Sequence, residues 1–204
     1  MRHINPQKRH DMAKQIWKAG TVLYPLPAVM VSCGTFENSN IVTVAWTGII
    51  NTDPPMTYIS LRESRHSYDI IKKHGEFVIN TTNKALVRAT DFCGVKSGRD
   101  VDKFKHLNLT KEKAPHLNAP MIGESPINLE CKVTEIKKLG SHTMFMAEIV
   151  GVCADEKYMD KNGRFAFERS LPICYSHGEY YSLGEKLGFF GYSIKKKKKG
   201  SKRK

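Results

Sequence analysis

The chain has 204 residues, of which 40% are hydrophobic and 26% charged, a composition typical of one globular domain with a sizeable core. No apolar run approaches the roughly 18 residues that a membrane span needs, and the N-terminus lacks the apolar stretch of a signal peptide. The sequence therefore predicts a cytoplasmic protein without a membrane span. The formal net charge is +13, but subtracting the eight Lys and Arg of the last ten residues leaves +5.

The basic tail, Lys195–Lys204, is predicted to be disordered because its like charges repel and none of its side chains can pack. Such a tail could contact nucleic acid or anionic lipid without specificity. The rest of the chain has no zinc finger, arginine-aromatic RNA motif or helix-turn-helix spacing, so no specific nucleic-acid partner is predicted.

The cysteines are scattered and odd in number, and no C-x-x-C spacing occurs among them: Cys33, Cys93, Cys131, Cys153 and Cys174. This pattern suggests neither a metal site nor a redox dithiol. The sequence predicts free, mostly buried thiols.

The predicted elements begin with a short helix, Asp11–Ala19, that ends at Gly20. Strand-forming stretches follow at 28–33, 41–50, 56–61, 76–82, 127–140, 142–155 and 171–184. Helices are predicted at 67–73 and 84–93, a polar loop at 94–104, and a turn at Asn162-Gly163. Many short strands with few helices predict a mainly β fold, a closed or split β-barrel. The predicted organisation is a helical extension over 1–20, a barrel domain over 21–194 and the tail.

Anion-seeking side chains crowd the corner between strand 56–61 and the following helix: Arg62, Ser64, Arg65, His66 and Ser67. Guanidinium groups and hydroxyls beside a helix N-terminus form a good phosphate cradle. Structural alternatives remain open, with a serine capping the helix and the arginines pairing with Glu63 or Asp69. No glycine-rich fingerprint of a P-loop or Rossmann fold accompanies the corner.

Several stretches in this order and spacing resemble one known family: YPLPAVMVSC, NSNIVTVAWTGIINTDPPMTYISLRESRHSYDIIKKHGEFVIN, SGRDVDKF and LGSHTMFMAEIVGV. Together they resemble the flavin reductase-like, FMN-binding split-barrel family, to which flavoredoxins belong. The resemblance covers about residues 23–191. It implies a six-stranded, Greek-key-like barrel that works as a homodimer, with FMN at the face that the two subunits share.

The resemblance also implies roles for particular residues. The strand bordering the flavin ring and ribityl chain carries Asn40, Thr43, Ala45, Trp46 and Thr47. The implied ligands of the FMN phosphate are Arg62, Arg65 and Ser67, with Ser60 and Ser64 as further candidates.

A second group of residues is implied near the edge of the flavin ring. Ser97, Gly98 and Lys103 lie in a loop that resembles the family's flavin-edge loop. His142 is the candidate catalytic residue, near the flavin or the nicotinamide. The structural alternatives are a solvated loop and a hydrogen-bonded structural histidine. Tyr180 and Tyr181 could cover the ring or fill a dimer core.

The predicted function is that of an NAD(P)H-dependent flavin reductase, in which hydride passes to N5 of bound FMN and electrons pass on to a second acceptor. The alternative is a flavoredoxin-type carrier without NAD(P)H activity that exchanges electrons with a partner protein. A third reading is a non-enzymatic barrel with a nucleic-acid-binding tail. The sequence leaves the choice between NADH and NADPH open.

Overall fold

A computed structural model describes residues 14–195 and shows a mainly β architecture with few helices. The strands within these residues are β1 Leu26–Pro27, β2 Val29–Gly34, β3 Ser39–Val44, β4 Thr47–Asn51, β5 Met56–Leu61, β6 Glu76–Asn80, β7 Lys111–Glu112, β8 Met121–Ile122, β9 Ile127–Lys138, β10 Thr143–Ala154, β11 Ile173–Ser176 and β12 Glu179–Ser182. The α-helices are α1 His66–His74, α2 Val87–Val95 and α3 Lys103–His106, and a 3₁₀ turn at Lys84–Leu86 leads into α2.

The main sheet has seven antiparallel strands in the order β3-β2-β6-β9-β10-β5-β4. Its two outermost strands, β3 and β4, are consecutive in the chain and joined only by Ala45 and Trp46. The backbone N–H of Ser60 also donates to the carbonyl of Trp46 at 2.9 Å, which continues the pairing across the junction. The sheet therefore closes on itself, and the predicted barrel is confirmed.

The single strand predicted over 41–50 is wrong in one respect, because the chain bends at Ala45 and Trp46. Its first part pairs with β2 and its second part pairs with β5. A strand that changes its pairing partner must bend at that point. The alternation of side chains along the sequence continues through the bend and does not reveal it. Counted as one bent strand, β3 and β4 complete a six-stranded barrel, as the resemblance implies.

The strand connections form a Greek key. The strands β2, β3–β4 and β5 follow one another around the barrel, and the next long strand, β6, returns to lie beside β2. This spatial order, with the fourth strand next to the first, is the defining Greek-key arrangement. The return between β5 and β6 carries α1, so the fold places a helix at the corner where β5 ends.

The barrel interior is filled by one cluster that receives side chains from all six strands, among them Val31, Val42, Ile59, Phe77 and Phe145. Phe77 and Phe145 are fully buried. Tyr68 and Ile71 of α1 close one end of this core, which explains why the apolar residues of that helix recur at a spacing of three.

A second cluster lies on the outer face of β2 and β3, where α2 and α3 pack. Met30 and Ile41 contact Leu86, Cys93 and Phe104 there. β2 is thus buried on both faces, and its sequence reads as a continuous apolar run rather than as an alternating one.

The predicted N-terminal helix is wrong over Lys14–Ala19, which contain no helix; its first residues, 11–13, lie outside the described part of the chain. These six residues are exposed, including the side chains of Ile16 and Trp17, so no packing stabilises a short helix there. The tail from residue 196 onwards also lies outside the described residues. Over residues 14–195, no helix has the length and apolar character needed to cross a membrane.

Candidate functional site

The corner after β5 is a turn that leads directly into α1. The backbone N–H of Arg65 donates to the carbonyl of Arg62 at 3.0 Å, and α1 begins at His66. Arg65 occupies the N-cap position, and no side chain caps the helix. Ser67 is fully buried, and its hydroxyl accepts a hydrogen bond from the Asn40 amide at 2.8 Å. The backbone N–H groups of His66 and Ser67 therefore have no capping side chain, while the N–H of Tyr68 donates to the carbonyl of Arg65 at 2.9 Å.

A cleft of about 570 Å³ opens at this corner, between the start of α1 and the loop after α2. Its lining contains five cationic side chains and three hydroxyls: Arg62, Arg65, Lys96, Arg99, Lys103, Ser64, Ser67 and Ser97. Among the described residues that line it, none is Asp or Glu. Within residues 14–195, none of the five cations forms an ion pair with a carboxylate. We call this region the anion cleft.

Lys103 lies at the floor of the anion cleft and is only 3% exposed. Its ammonium donates to the carbonyl oxygens of Ile41 at 2.6 Å and Cys93 at 2.9 Å. Burial lowers the pKa of this ammonium, and the nearby Arg65 charge lowers it further. An ammonium has three N–H donors, so one remains for a ligand that brings a negative charge.

The loop between α2 and α3 is held against the barrel by a close contact at Gly98. A Cβ atom at this position would lie 2.0 Å from the Oδ1 atom of Asn40, so a larger residue would push the loop away from β3. Arg99 donates to the carbonyl of Ser64 at 3.2 Å, which ties the same loop to the arginine corner. The loop therefore forms one wall of the anion cleft.

A second cleft of about 280 Å³ lies beside the bend of the β3–β4 strand, and we call it the ring cleft. Its lining is largely apolar and aromatic: Ala28, Val44, Ala45, Trp46, Leu61, Tyr175 and Tyr180, with Thr43, Ser60, Gly94 and His142. Arg62 and Arg65 line both clefts, so the two join at the arginine corner. The combined site is apolar and aromatic at one end and strongly cationic at the other.

His142 stands at the edge of the ring cleft, just before β10. Its imidazole stacks on Trp46, with ring centroids 6.2 Å apart and planes 4° from parallel, and its Nδ1 lies 2.9 Å from the hydroxyl oxygen of Ser141. Burial lowers the pKa of His142, and the Arg62 charge lowers it further. Both effects favour the neutral form of the imidazole.

Tyr180 faces the ring cleft from the small sheet β1-β11-β12, next to Tyr175. Their rings meet edge to face with centroids 5.7 Å apart. Burial, with Asp91 close by, raises the pKa of Tyr180 to about 12, so its hydroxyl stays protonated. It donates to the Asp91 carboxylate at 3.4 Å.

The structure brings together nearly all the residues that the sequence singled out. Thr43, Ala45, Trp46, Ser60 and His142 line the ring cleft. Asn40, Ser64, Ser67, Ser97, Gly98 and Lys103 line the anion cleft. Five residues lie at the other end of the site from the one expected: Ser60 lines the ring cleft, whereas Asn40, Ser97, Gly98 and Lys103 line the anion cleft.

Thr47 lies apart from both clefts. It is buried in the barrel wall, and its hydroxyl donates to the carbonyl of Tyr58 at 2.6 Å. The bend at Ala45 and Trp46 turns the chain away before Thr47, which pairs with Ile59 of β5 instead of reaching a cleft.

Sequence reasoning missed several lining residues. Lys96 and Arg99 flank the predicted Ser97 and Gly98, and their charge was a usable signal. Ala28 and Tyr175 carry no local sequence signal of their role, because they reach the ring cleft from distant parts of the chain.

Comparisons with known proteins agree with this geometry. The flavin reductase like domain matches residues 21–184. Flavoredoxin of Desulfovibrio vulgaris (Miyazaki F) has a TM-score of 0.83 and 33% identity, covering 90% of this chain and 100% of that one. Flavoredoxin from Methanosarcina acetivorans has a TM-score of 0.80 and 26% identity, with coverage of 90% and 100%. An uncharacterized protein of Pyrococcus abyssi is 28% identical over 166 residues, 81% of this chain and 95% of that protein. The chain therefore belongs to the flavin reductase-like family and has its split-barrel fold.

Proposed function

We propose that the protein binds FMN across the two joined clefts and acts as an NAD(P)H:flavin oxidoreductase. The observation that carries this proposal is the junction of an aromatic cleft with a cationic one at Arg62 and Arg65. FMN has the complementary form, a flat apolar ring system at one end and a phosphate dianion at the other.

The donor set of the anion cleft fits a phosphate. Lys103 offers a buried ammonium with one free donor, and the start of α1 offers backbone N–H groups that no side chain caps. Arg62 and Arg65 supply two further charges from the turn. Guanidinium and ammonium groups form the strong, charge-assisted hydrogen bonds that phosphate oxygens accept. The cations lack carboxylate partners within the described chain, so a ligand phosphate would balance a charge that the protein leaves uncompensated.

The ring cleft fits a planar aromatic group. Trp46 and Tyr180 border it with aromatic faces, and Thr43 and Ser60 add polar atoms along the strand. Bound FMN would supply the redox chemistry, accepting hydride from NAD(P)H and giving electrons to a second acceptor, which no side chain can do. Neutral His142, held by stacking on Trp46, would position the nicotinamide or the acceptor by a hydrogen bond from the imidazole.

A second candidate function is electron transfer between proteins without NAD(P)H oxidation. The two flavoredoxins, at TM-scores of 0.83 and 0.80, favour this reading. The same two clefts would hold FMN, and the difference would lie in the electron donor alone.

We also propose that the protein works as a homodimer. Several large apolar side chains stay exposed on the single chain, both near the barrel bend and in the two terminal segments, including Leu23, Ile49, Leu187 and Phe190. Large apolar surfaces left exposed on a single chain mark interaction sites, and a second copy of the chain would cover these side chains. Light scattering during size-exclusion chromatography would show about twice the mass of one chain, and a monomer would contradict the proposal.

A visible absorption spectrum tests the function directly. FMN is titrated into the purified protein, and NADH or NADPH is then added without oxygen. A saturable 1:1 flavin spectrum that bleaches with either coenzyme supports the oxidoreductase. Bleaching with dithionite alone supports the electron carrier, and the absence of flavin binding contradicts both.

A further inference from the structure

The anion cleft contains more positive charge than the phosphate of FMN can balance. One phosphomonoester brings at most about two negative charges at neutral pH. Five cations line the cleft, and its volume of about 570 Å³ lies in the range of sites that hold whole drug-sized ligands. About three positive charges therefore remain for something other than the first phosphate.

The five cations fall into two groups by their position in the cleft. Lys103 is buried at the floor, next to Ser67 and the start of α1. Lys96 and Arg99 are exposed on the opposite wall, on the loop that Gly98 fixes against Asn40. Arg62 and Arg65, from the turn, join Lys103 in the phosphate cradle described above. Arg99 adjoins this cradle, because its guanidinium donates to the carbonyl of Ser64.

The wall cations keep most of their side-chain donors free within residues 14–195. Arg99 uses one N–H to reach the carbonyl of Ser64, which leaves the rest of its guanidinium fork for a ligand. Asp102, on the same loop, accepts a hydrogen bond from the backbone N–H of Lys105 at 3.2 Å and caps α3. Within residues 14–195, neither Lys96 nor Arg99 pairs with a carboxylate.

We propose that Lys96 and Arg99 form a second phosphate subsite, which binds a phosphate group other than that of FMN. This proposal rests on the proposed function, because it takes the floor of the cleft to be the FMN phosphate site. Two ligands of this chemistry could supply the second phosphate. One is FAD, whose second phosphate would follow the first out of the cleft, and the other is NADPH, through its 2′-phosphate.

The test compares two double variants of the full-length chain. Lys96→Ser with Arg99→Ser removes the wall cations. Lys132→Ser with Lys161→Ser is the matched control, since it removes the same charge from exposed positions that line neither cleft. Flavin fluorescence gives the Kd of FMN and of FAD. Calorimetry on FMN-loaded protein gives the Kd of 2′,5′-ADP, with 5′-AMP as the probe that lacks the second phosphate.

We expect the wall variant to bind FMN within about threefold of wild type. We expect it to lose at least about tenfold in affinity for FAD or for 2′,5′-ADP, the loss expected for charge-assisted contacts to phosphate. A loss confined to FAD identifies the flavin diphosphate as the source, and a loss confined to 2′,5′-ADP identifies the dinucleotide phosphate. The control variant should bind FAD and 2′,5′-ADP with the affinity of wild type.

Two results would overturn the subsite. In one, FAD and 2′,5′-ADP change no more in the wall variant than in the control. In the other, the affinity for FMN falls as much as the affinities for FAD and 2′,5′-ADP, which would place Lys96 and Arg99 in the first phosphate site. If wild type binds no FMN, the proposed function fails, and the subsite is then decided by 2′,5′-ADP binding to the free protein.

Discussion

Replacing Lys103 with Met isolates the charge at the floor of the anion cleft. Methionine keeps the length and apolar character of the lysine stem and removes only the ammonium. Lys105→Met is the matched control, because it makes the same substitution on the exposed side of α3, outside both clefts. Riboflavin, which has the ring but no phosphate, serves as the second control.

The expected loss of FMN affinity follows from one charge-assisted hydrogen bond. Such a bond contributes about 1.5–3 kcal/mol, which corresponds to a roughly 10- to 150-fold increase in the Kd of FMN. The effect on folding should be smaller. The carbonyls of Ile41 and Cys93 lose their donor, at about 1–3 kcal/mol each, but the variant also avoids burying an ammonium without a counter-ion, which costs several kcal/mol.

The pH dependence of FMN binding gives a second signature of Lys103. Its pKa is lowered in the free protein, and a bound phosphate would raise it again. Above the lowered pKa, FMN must bind together with a proton, so the affinity of wild type should fall as the pH rises through that value. The Lys103→Met variant should show no such step, since it has no proton to take up there.

Fluorescence titration across this pH range measures the loss of FMN affinity, the affinity for riboflavin and the pH dependence of FMN binding. The reasoning fails if riboflavin loses as much affinity as FMN, because Lys103 would then act on the ring or on the fold. It also fails if FMN binds the variant as tightly as wild type.

Three further perturbations follow from the same structure. Arg62→Ala with Arg65→Ala should weaken FMN binding by at least about 100-fold, through two lost charge-assisted contacts, and unchanged binding would remove the phosphate from this corner. Burial raises the pKa of Cys93 to about 11, so about one molecule in 1,000 carries the thiolate at pH 8. Iodoacetamide should therefore label the partly exposed Cys174 well before Cys93, and mass spectrometry of the modified peptides would show the reverse order if this is wrong. Glu130 is fully buried and accepts hydrogen bonds from the backbone N–H of His116 at 2.7 Å and from its imidazole, so Glu130→Ala should lower the free energy of unfolding by about 3 kcal/mol in urea. A change below 1 kcal/mol would show that the loop at His116 does not depend on this carboxylate.

Most of the barrel could be predicted from the sequence, because a β-strand leaves a local signature. The strands β2, β5 and β6 lie within about two residues of their predicted ends, which is the usual uncertainty of element boundaries. The bend at Ala45 and Trp46 was not local information. It exists because the chain must exchange β2 for β5 as its partner, and the identity of those partners is fixed only by the closed barrel.

The site likewise contains features that have a local sequence signal and features that depend on distant partners. The arginine corner could be found because its residues lie within six positions of one another, at the end of a recognisable strand. The contact between Asn40 and Gly98 could not be found, because it joins residues that are distant in sequence. The helix cap that Ser64 or Ser67 offered as a structural alternative is absent for a related reason, since Ser67 is held by Asn40 of β3.

The position of both clefts follows from how the barrel closes. At the bend, the strand made of β3 and β4 changes its pairing partner from β2 to β5. The carbonyl of Trp46 accepts a hydrogen bond from the N–H of Ser60 at this seam, where the barrel closes. β5 then ends at Leu61, and the chain must turn outwards to reach α1, which places Arg62 and Arg65 next to that seam. Helix α2 packs against β3 on the other side and brings Gly94 to the edge of the ring cleft. A Greek-key barrel closed by one bent strand thus exposes backbone and side-chain donors at the point where its wall is least regular, and this is where both the ring cleft and the anion cleft lie.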